Sequence, residues 1–286
     1  MRNAFGDVIP ALDAIVRDPD LCTYIRRTLT EVLRAINPTG NSVAEQIVEG
    51  TQKSNSLEEY ELASHLTLEW NGYTKERIAA ARKERAQRIV SQIQPHVQGS
   101  VLDLGCGSGQ VGTLLAERHP VVLTDIYPNE QAAATGLEFQ VYDPQLGLRD
   151  PRMYDTTLLL TVLHHSDDPL GTLEEAVTHT KEGGRLVVIE SVYDVRPFTE
   201  HSGVVSREFK MLTPQRQRKA TIFFDHFSNR VQQYSDVKIN MPFNFATPRM
   251  LNDAFVKFGL RPIYFEPLGF DQPTVGEYHM LFVLKK

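Results

Sequence analysis

The feature that most constrains the fold is a run of glycines that follows an apolar segment near the middle of the chain. Residues 101 to 112 read VLDLGCGSGQVG, which predicts a short strand, a glycine loop and the start of a helix. Gly105, Gly107 and Gly109 carry no side chain that would keep a ligand away from backbone N–H groups at the positive end of the helix dipole. The segment therefore predicts a ligand-binding strand–loop–helix unit.

Short apolar runs alternate with helical segments from Gly99 onward, and this alternation predicts the fold class. Runs that are apolar on both faces fit strands of a parallel sheet that helices cover on each side. The predicted strands are residues 101–104, 121–124, 139–142, 156–162, 185–190, 261–267 and 277–284, with a helix over 247–258 before the last two. A short Gly/Pro-containing loop between those two permits an antiparallel hairpin. We therefore expect a doubly wound, mostly parallel seven-stranded α/β sheet with a C-terminal antiparallel hairpin.

The N-terminal third shows helical periodicity and no convincing strand. Apolar residues recur at steps of three or four between Leu21 and Ile36, and Ser56 with Glu59 forms a capping-box pattern. A further helix is predicted from Thr74 to about Ile93. The domain prediction is a helical cap or lid over residues 1–95 and an α/β domain over 96–286, with an aromatic-rich insertion at 191–246 that covers the substrate.

Composition excludes several classes of protein. A formal charge of −6 and a pI near 5.9 argue against a protein built mainly to bind nucleic acid. Two cysteines without a disulfide framework or zinc spacing favour an intracellular protein. The N-terminus is not a signal peptide, and no window approaches the ~18 uninterrupted apolar residues of a membrane span. The expectation is a cytoplasmic protein without membrane contact, whose helical cap offers surface for a homodimer.

The glycine pattern alone does not identify the ligand. Gly107-Ser-Gly109-Gln-Val-Gly112 also fits the dinucleotide fingerprint, with Asp125 at about the expected ~20-residue distance. A Tyr-x-x-x-Lys pair at Tyr234 and Lys238 would suit a nicotinamide reductase, although Pro242 ends any helix soon after it.

Three further segments resemble one family. Asp103 to Gly109 resembles the acidic-x-Gly-x-Gly-x-Gly signature of class I (Rossmann-like) S-adenosylmethionine (SAM)-dependent methyltransferases. DTTLLLTVLHHSDDP, residues 155–169, resembles the small-molecule and quinone-type members, and KEGGRLVVIE, residues 181–190, resembles their fifth strand. The terminal hairpin is also typical of the family. The resemblance implies an enzyme that uses SAM as methyl donor and releases S-adenosylhomocysteine.

The resemblance also implies which residues bind SAM. They are Tyr73, Arg77, Asp103, Gly105, Cys106, Gly107, Gly109, Asp125, Ile126, Asp143, Thr161 and Leu163. In the family the acid at Asp103 helps hold the methionine end, and the acid at Asp125 binds both ribose hydroxyls, which suits an acceptor-only carboxylate. Asp143 and Ile126 would contact the adenine. The backbone around Thr161 and Leu163 would border the reactive end.

Tyr73, Arg77 and Cys106 are the remaining residues that the resemblance places at the cofactor, and each has a different expected role. Tyr73 and Arg77 lie at the start of the helix that leads into the glycine loop, and relatives recruit such residues to cover the cofactor. An arginine there could pair with the cofactor carboxylate. Cys106 is interpreted as a small packed residue of the loop rather than a nucleophile.

Candidate catalytic residues lie at the ends of the fourth and fifth strands. His165, slightly favoured over His164, has the pKa range of a general base, and Glu190 could orient an acceptor. In the insertion His226 next to Asp225, or His201, could supply a base. No recognisable ligand spacing surrounds them, so no metal site is predicted.

The insertion also carries the acceptor prediction. Its aromatic residues favour a small aromatic or amphipathic acceptor, methylated on oxygen, nitrogen or carbon. The chain lacks an Asn-Pro-Pro-Tyr motif after the fourth strand, which many enzymes acting on exocyclic amines of nucleic-acid bases carry. A macromolecular acceptor, and a SAM-binding regulator or partner subunit without catalysis, remain open alternatives.

Overall fold

The structure is a computed structural model that describes residues 17–38, 42–54, 56–196, 204–233, 241–270 and 274–286. The chain divides into two compact units. The first contains the described residues of Met1–Arg85, Val192–Phe245 and Leu268–His279, and the second contains Ala86–Ser191, Ala246–Pro267 and Met280–Lys286. His201, Tyr234 and Lys238 lie outside the described residues.

The described residues form ten α-helices. They are α1 Pro19–Ile36, α2 Val43–Lys53, α3 Leu57–Trp70, α4 Lys75–Ile93, α5 Gln110–Leu115, α6 Glu130–Ala133, α7 Pro169–Thr178, α8 Val204–Met211, α9 Pro214–His226 and α10 Pro248–Lys257. A five-residue π-helical segment, Phe227–Val231, continues α9. Within the described ranges no helix is both long and apolar enough to cross a membrane.

Local sequence explains where the helices of the first unit begin. Asp18 caps α1, since its side chain accepts a hydrogen bond from the Leu21 N–H at 3.2 Å, and Pro19 takes the first helical position. Ser56 caps α3 by accepting from the Glu59 N–H at 3.1 Å, which is the bond that the capping-box pattern predicts. The sequence pattern does not predict α2 as a helix of its own.

The second unit carries a seven-stranded sheet. Its strands are β1 Val101–Leu104, β2 Val121–Asp125, β3 Glu138–Val141, β4 Tyr154–Leu160, β5 Thr180–Ser191, β6 Arg261–Gly269 and β7 His279–Lys285. The strand order is β3-β2-β1-β4-β5-β7-β6. The pairs β1–β2, β1–β4, β2–β3 and β4–β5 are parallel. The strand order therefore reverses between β1 and β4, where open α/β sheets bind ligands beyond the carboxyl ends of the strands.

The backbone bonds at the two ends of β5 show the direction of β7. The Gly183 N–H donates to the Lys286 carbonyl at 3.1 Å, whereas the Val192 N–H donates to the Tyr278 carbonyl at 2.9 Å. Residue numbers thus rise along β5 as they fall along its partner, which makes the pair antiparallel. This confirms the predicted doubly wound, mostly parallel sheet with a C-terminal antiparallel hairpin.

Two of the differences between the predicted and the observed strand boundaries have a clear cause in the backbone. β4 ends at Leu160, two residues early, because Thr161 takes a left-handed backbone conformation with φ of 59°. β5 begins at Thr180, five residues before the predicted start at Arg185, because Tyr154 already pairs with Thr180 ahead of a register shift. Both differences arise from backbone geometry that apolar periodicity does not encode.

Candidate active site

The glycine loop after β1 takes a conformation that only glycine adopts readily. Gly105, Gly107 and Gly109 have φ values of 80°, 54° and 73°. The N–H groups of Gly105 and Cys106 both donate to the Thr124 carbonyl at 2.9 Å. The loop is therefore anchored to β2 at its start, and Gly107 in its middle is exposed.

Steric fit adds a second constraint at two of these positions. A Cβ on Gly105 would lie 2.7 Å from a methyl group of Val162, and a Cβ on Gly109 would lie 2.8 Å from a methyl of Leu123. Around Gly107, by contrast, a Cβ would meet nothing within 4 Å. Gly105 is thus required by its contact with the turn after β4, a reason that the motif itself does not reveal.

Asp125 connects the loop to the end of β2. Its Oδ2 accepts from the Gly107 N–H at 2.8 Å and its Oδ1 accepts from the Tyr127 N–H at 3.2 Å. Burial raises the pKa of Asp125, against the lowering effect of these backbone donors. A carboxylate held in this way presents only acceptors, which fits the two ribose hydroxyls that the family resemblance assigns to it.

Asp103 is a buried carboxyl group within β1. It is 2% exposed, and its Oδ2 has no hydrogen-bond partner among the described residues. Burial, with the nearby charge of Asp125 as a second cause, raises the pKa of Asp103 to about 7. A buried carboxyl group in this state is stabilised by a cation, and the methionine end of SAM carries an ammonium group. The orphaned oxygen therefore fits the cofactor that the resemblance implies.

The other predicted cofactor residues of the second unit lie around this loop and the neighbouring strand ends. Ile126 is half-buried beside Asp125. Asp143 is exposed after β3, and its Oδ1 accepts from the Gln145 N–H at 2.8 Å. Burial and the two nearby carboxylates raise the pKa of the Cys106 thiol, so it stays protonated and is a poor nucleophile. Adenine contacts by Ile126 and Asp143 stay predictions.

The turn after β4 is held by one carboxylate. Glu190 is 2% exposed, and its Oε1 accepts from the N–H groups of Val162 at 2.8 Å and Leu163 at 2.7 Å. Its Oε2 lies 2.6 Å from Nδ1 of His164. Glu190 therefore binds the residues of this turn directly, and its predicted role toward an acceptor stays a prediction.

The two histidines of the turn differ in accessibility. The rings of His164 and His165 lie 4.2 Å apart at an interplanar angle of 41°. His164 is buried and bound to Glu190, whereas His165 is half-buried. His165 is thus the more accessible of the two histidines.

Three predicted site residues belong to the first unit. Tyr73 is buried, which raises the pKa of its hydroxyl, and Arg77 is exposed and donates to the Gly72 carbonyl at 3.2 Å. Nε2 of His226 lies 2.9 Å from Oε1 of Glu61, and both side chains are 2% exposed. Sequence analysis missed Glu61, because no local pattern links residues so far apart. The functional roles of Tyr73, Arg77 and His226 stay predictions.

Comparison with known proteins assigns the family. A family model described as a methyltransferase domain matches residues 73–264, which is more than half of the chain. The chain therefore belongs to this methyltransferase family, as a class I enzyme that uses SAM. This resolves the ambiguity of the glycine pattern in favour of SAM over a dinucleotide.

Sequence similarity to individual relatives covers a smaller part of the chain than the family model does. Over 122 residues the chain is 31% identical to ribosomal RNA small subunit methyltransferase C of Salmonella newport (strain SL254). That alignment covers 38% of this chain and 36% of the relative, so the chain spans only about a third of that relative's length.

Two solved structures illustrate the structural matches. A geranyl diphosphate C-methyltransferase from Streptomyces coelicolor A3(2) is 14% identical, with a TM-score of 0.48 and coverage of 74% of this chain and 83% of that one. A SAM-dependent methyltransferase from Methanosarcina mazei is 19% identical, with a TM-score of 0.47 and coverage of 68% and 96%.

Replacement of Asp103 by asparagine tests the buried carboxyl group. Because the folded-state pKa is raised from 3.8 to about 7, the free energy of unfolding that this group contributes falls as pH rises between those values. We expect Asp103→Asn to be more stable than the wild type at pH 8 without SAM, by roughly 1–3 kcal/mol, and to bind SAM more weakly. Urea denaturation at pH 5 and pH 8 measures the first effect.

The exposed carboxylate of Asp143 provides the matched control. Asp143→Asn should leave the difference in stability between pH 5 and pH 8 unchanged. If Asp103→Asn were no more stable than the wild type at pH 8, the buried-carboxyl account would be wrong.

Proposed function

We propose that this methyltransferase acts on a small-molecule acceptor of aromatic or amphipathic character. The supporting observation is the concentration of aromatic residues in α9 and its π-helical continuation, within the segment 191–246 that the sequence predicts to cover the substrate. Phe223, Phe224 and Phe227 are fully buried there, beside the buried polar residues Asp225 and His226. Small-molecule sites are lined mainly by apolar and aromatic side chains with a few polar groups.

The chemistry divides between the cofactor and the chain. SAM supplies, when bound, a methyl group that its sulfonium charge already activates. The glycine loop, Asp103 and Asp125 would hold it, and the protein has to align the acceptor and exclude water. Alignment of the two reactants can remove about 7–11 kcal/mol of the barrier to such a displacement.

An oxygen or nitrogen acceptor also has to lose a proton. We assign this step to His165, because it is the accessible histidine of the turn after β4, whereas His164 is bound to Glu190. Histidine has the pKa range that a general base needs near neutral pH.

Charge supports a small acceptor over RNA. The chain has a net charge of −6, whereas proteins that bind nucleic acid gain most of their affinity from basic residues against phosphate. The relative that is named as a ribosomal RNA methyltransferase aligns with this chain over only about a third of the relative's length. We therefore treat RNA and protein as alternative acceptors, which the labelling experiment below distinguishes from a small molecule.

Incubation with methyl-labelled SAM tests the acceptor class. The purified protein is offered, separately, a metabolite extract, total RNA and total protein, with Asp125→Ala as a control that should bind the donor poorly. We expect label and S-adenosylhomocysteine to appear with the metabolite extract. Label in RNA or protein would contradict the small-molecule proposal, and absence of S-adenosylhomocysteine in every arm would favour a non-catalytic SAM-binding protein.

Replacement of His165 tests the base once an acceptor is known. His165→Gln should lower kcat by on the order of 100-fold and remove the loss of rate at low pH, while SAM affinity stays within about threefold. The pH profile of kcat is the measurement. His119→Gln, which removes another histidine of the same unit, should change neither kcat nor its pH profile. A His165→Gln enzyme with the wild-type pH profile would show that His165 is not the base.

A further inference from the structure

The turn after β4 has an unfavourable backbone conformation that requires an external support. Thr161 has φ of 59°, a region that β-branched residues rarely adopt because it is sterically unfavourable for them. Its N–H still donates to the Ile189 carbonyl at 2.7 Å, as part of the sheet. The chain then leaves the sheet, so that the N–H groups of Val162 and Leu163 need acceptors elsewhere.

The Glu190 carboxylate supplies those acceptors. One oxygen, Oε1, accepts from both Val162 and Leu163, at 2.8 and 2.7 Å. Glu190 is the penultimate residue of β5 and is 2% exposed, so its position is fixed by the sheet. Hydrogen bonds from backbone N–H groups to a carboxylate are stronger than those to a neutral oxygen. The strained turn is thereby attached to a rigid strand.

The supported turn contacts the cofactor loop directly. The Val162 methyl groups lie so close to Gly105 that a Cβ there would be 2.7 and 2.9 Å from them. A displacement of Val162 would therefore move the first glycine of the loop, or leave a gap beside it. Glu190 thus supports one of the two backbone segments that meet at Gly105 and Val162, although it belongs to neither of them.

The second oxygen holds a side chain of the same turn. Oε2 lies 2.6 Å from Nδ1 of His164, and the His164 ring lies against that of His165. The carboxylate thus fixes both the backbone of the turn and the orientation of its first histidine. The backbone bonds involve Oε1 and the histidine bond involves Oε2, so the two functions can be separated by mutation.

We infer that Glu190 is a positioning residue for SAM, which acts through the backbone of Val162 and Leu163 and their contact with Gly105. This role concerns the methyl donor and holds whichever acceptor the enzyme uses. The competing role, orientation of the acceptor by Glu190, would change acceptor kinetics and leave donor affinity unchanged.

Three variants separate the contributions. Glu190→Ala removes both functions, Glu190→Gln keeps a carbonyl oxygen for the two N–H groups and loses the charge, and His164→Gln removes only the histidine bond. We expect calorimetric affinity for S-adenosylhomocysteine to fall by about tenfold or more in Glu190→Ala, because two N–H groups lose their acceptor. It should stay within about threefold of wild type in Glu190→Gln and in His164→Gln.

Amide hydrogen exchange of the ligand-free proteins gives a readout that is independent of activity. The amides of Val162 and Leu163 should exchange faster in Glu190→Ala and remain protected in Glu190→Gln, while the amides of β1 and β2 keep their protection in both. If glutamine at position 190 restores the protection of these two amides, the effect arises from the backbone hydrogen bonds and not from the charge of Glu190.

Several results would overturn the inference. One is wild-type affinity for S-adenosylhomocysteine in Glu190→Ala, and another is a lower kcat with unchanged KM for SAM, which would place Glu190 at the acceptor. If amides throughout the sheet lost their protection in Glu190→Ala, that variant would be destabilised as a whole. The test would then rest on Glu190→Gln and His164→Gln. A weaker affinity in His164→Gln than in Glu190→Gln would then contradict the backbone role.

Discussion

The candidate cofactor site depends on the close approach of two backbone segments, the glycine loop after β1 and the turn after β4. They lie at the position where the strand order reverses, and Gly105 and Val162 are in contact there. Neither segment is stable by local propensity alone, since one consists of left-handed glycines and the other contains a left-handed threonine. The sheet provides their anchors, through the Thr124 carbonyl on one side and the Glu190 carboxylate on the other.

Electrostatics around the glycine loop favours a cationic ligand. Asp103 is buried and Asp125 is half-buried, and burial together with the nearby charge of Asp125 makes ionisation of Asp103 less favourable. The raised pKa of Asp103 lowers the stability of the ligand-free fold as pH rises toward neutrality, and a positively charged ligand would offset that cost. We therefore expect the cost in stability and the affinity for the methyl donor to come from the same two side chains.

The sequence predicts the sheet well because its physical signals are local. Apolar runs such as Val101 to Leu104 are buried on both faces, and glycines at required left-handed positions identify the loop. The early end of β4 was not predictable, because Thr161 and Val162 continue the apolar, β-branched pattern while their backbone turns away. The carboxylate that captures that turn lies 28 residues further along the chain.

Contacts between distant residues explain what else the sequence missed. Glu61 and His226 are separated by 165 positions, and each taken alone resembles an ordinary helical surface residue. Their pairing, and the burial of both, arises from the packing of helices in the first unit. The candidate cofactor residues of the second unit could be proposed from the sequence because each lies at or near the end of a predicted strand, whereas the partner of His226 carries no such positional signal.

The glycine loop, Asp103 and Asp125 should together form a SAM site rather than a dinucleotide site. Calorimetric titration of the purified protein with S-adenosylhomocysteine and, in parallel, with NADH tests it most directly. We predict saturable binding of one S-adenosylhomocysteine per chain and no heat of binding from NADH. Saturable binding of NADH, with none of S-adenosylhomocysteine, would contradict it.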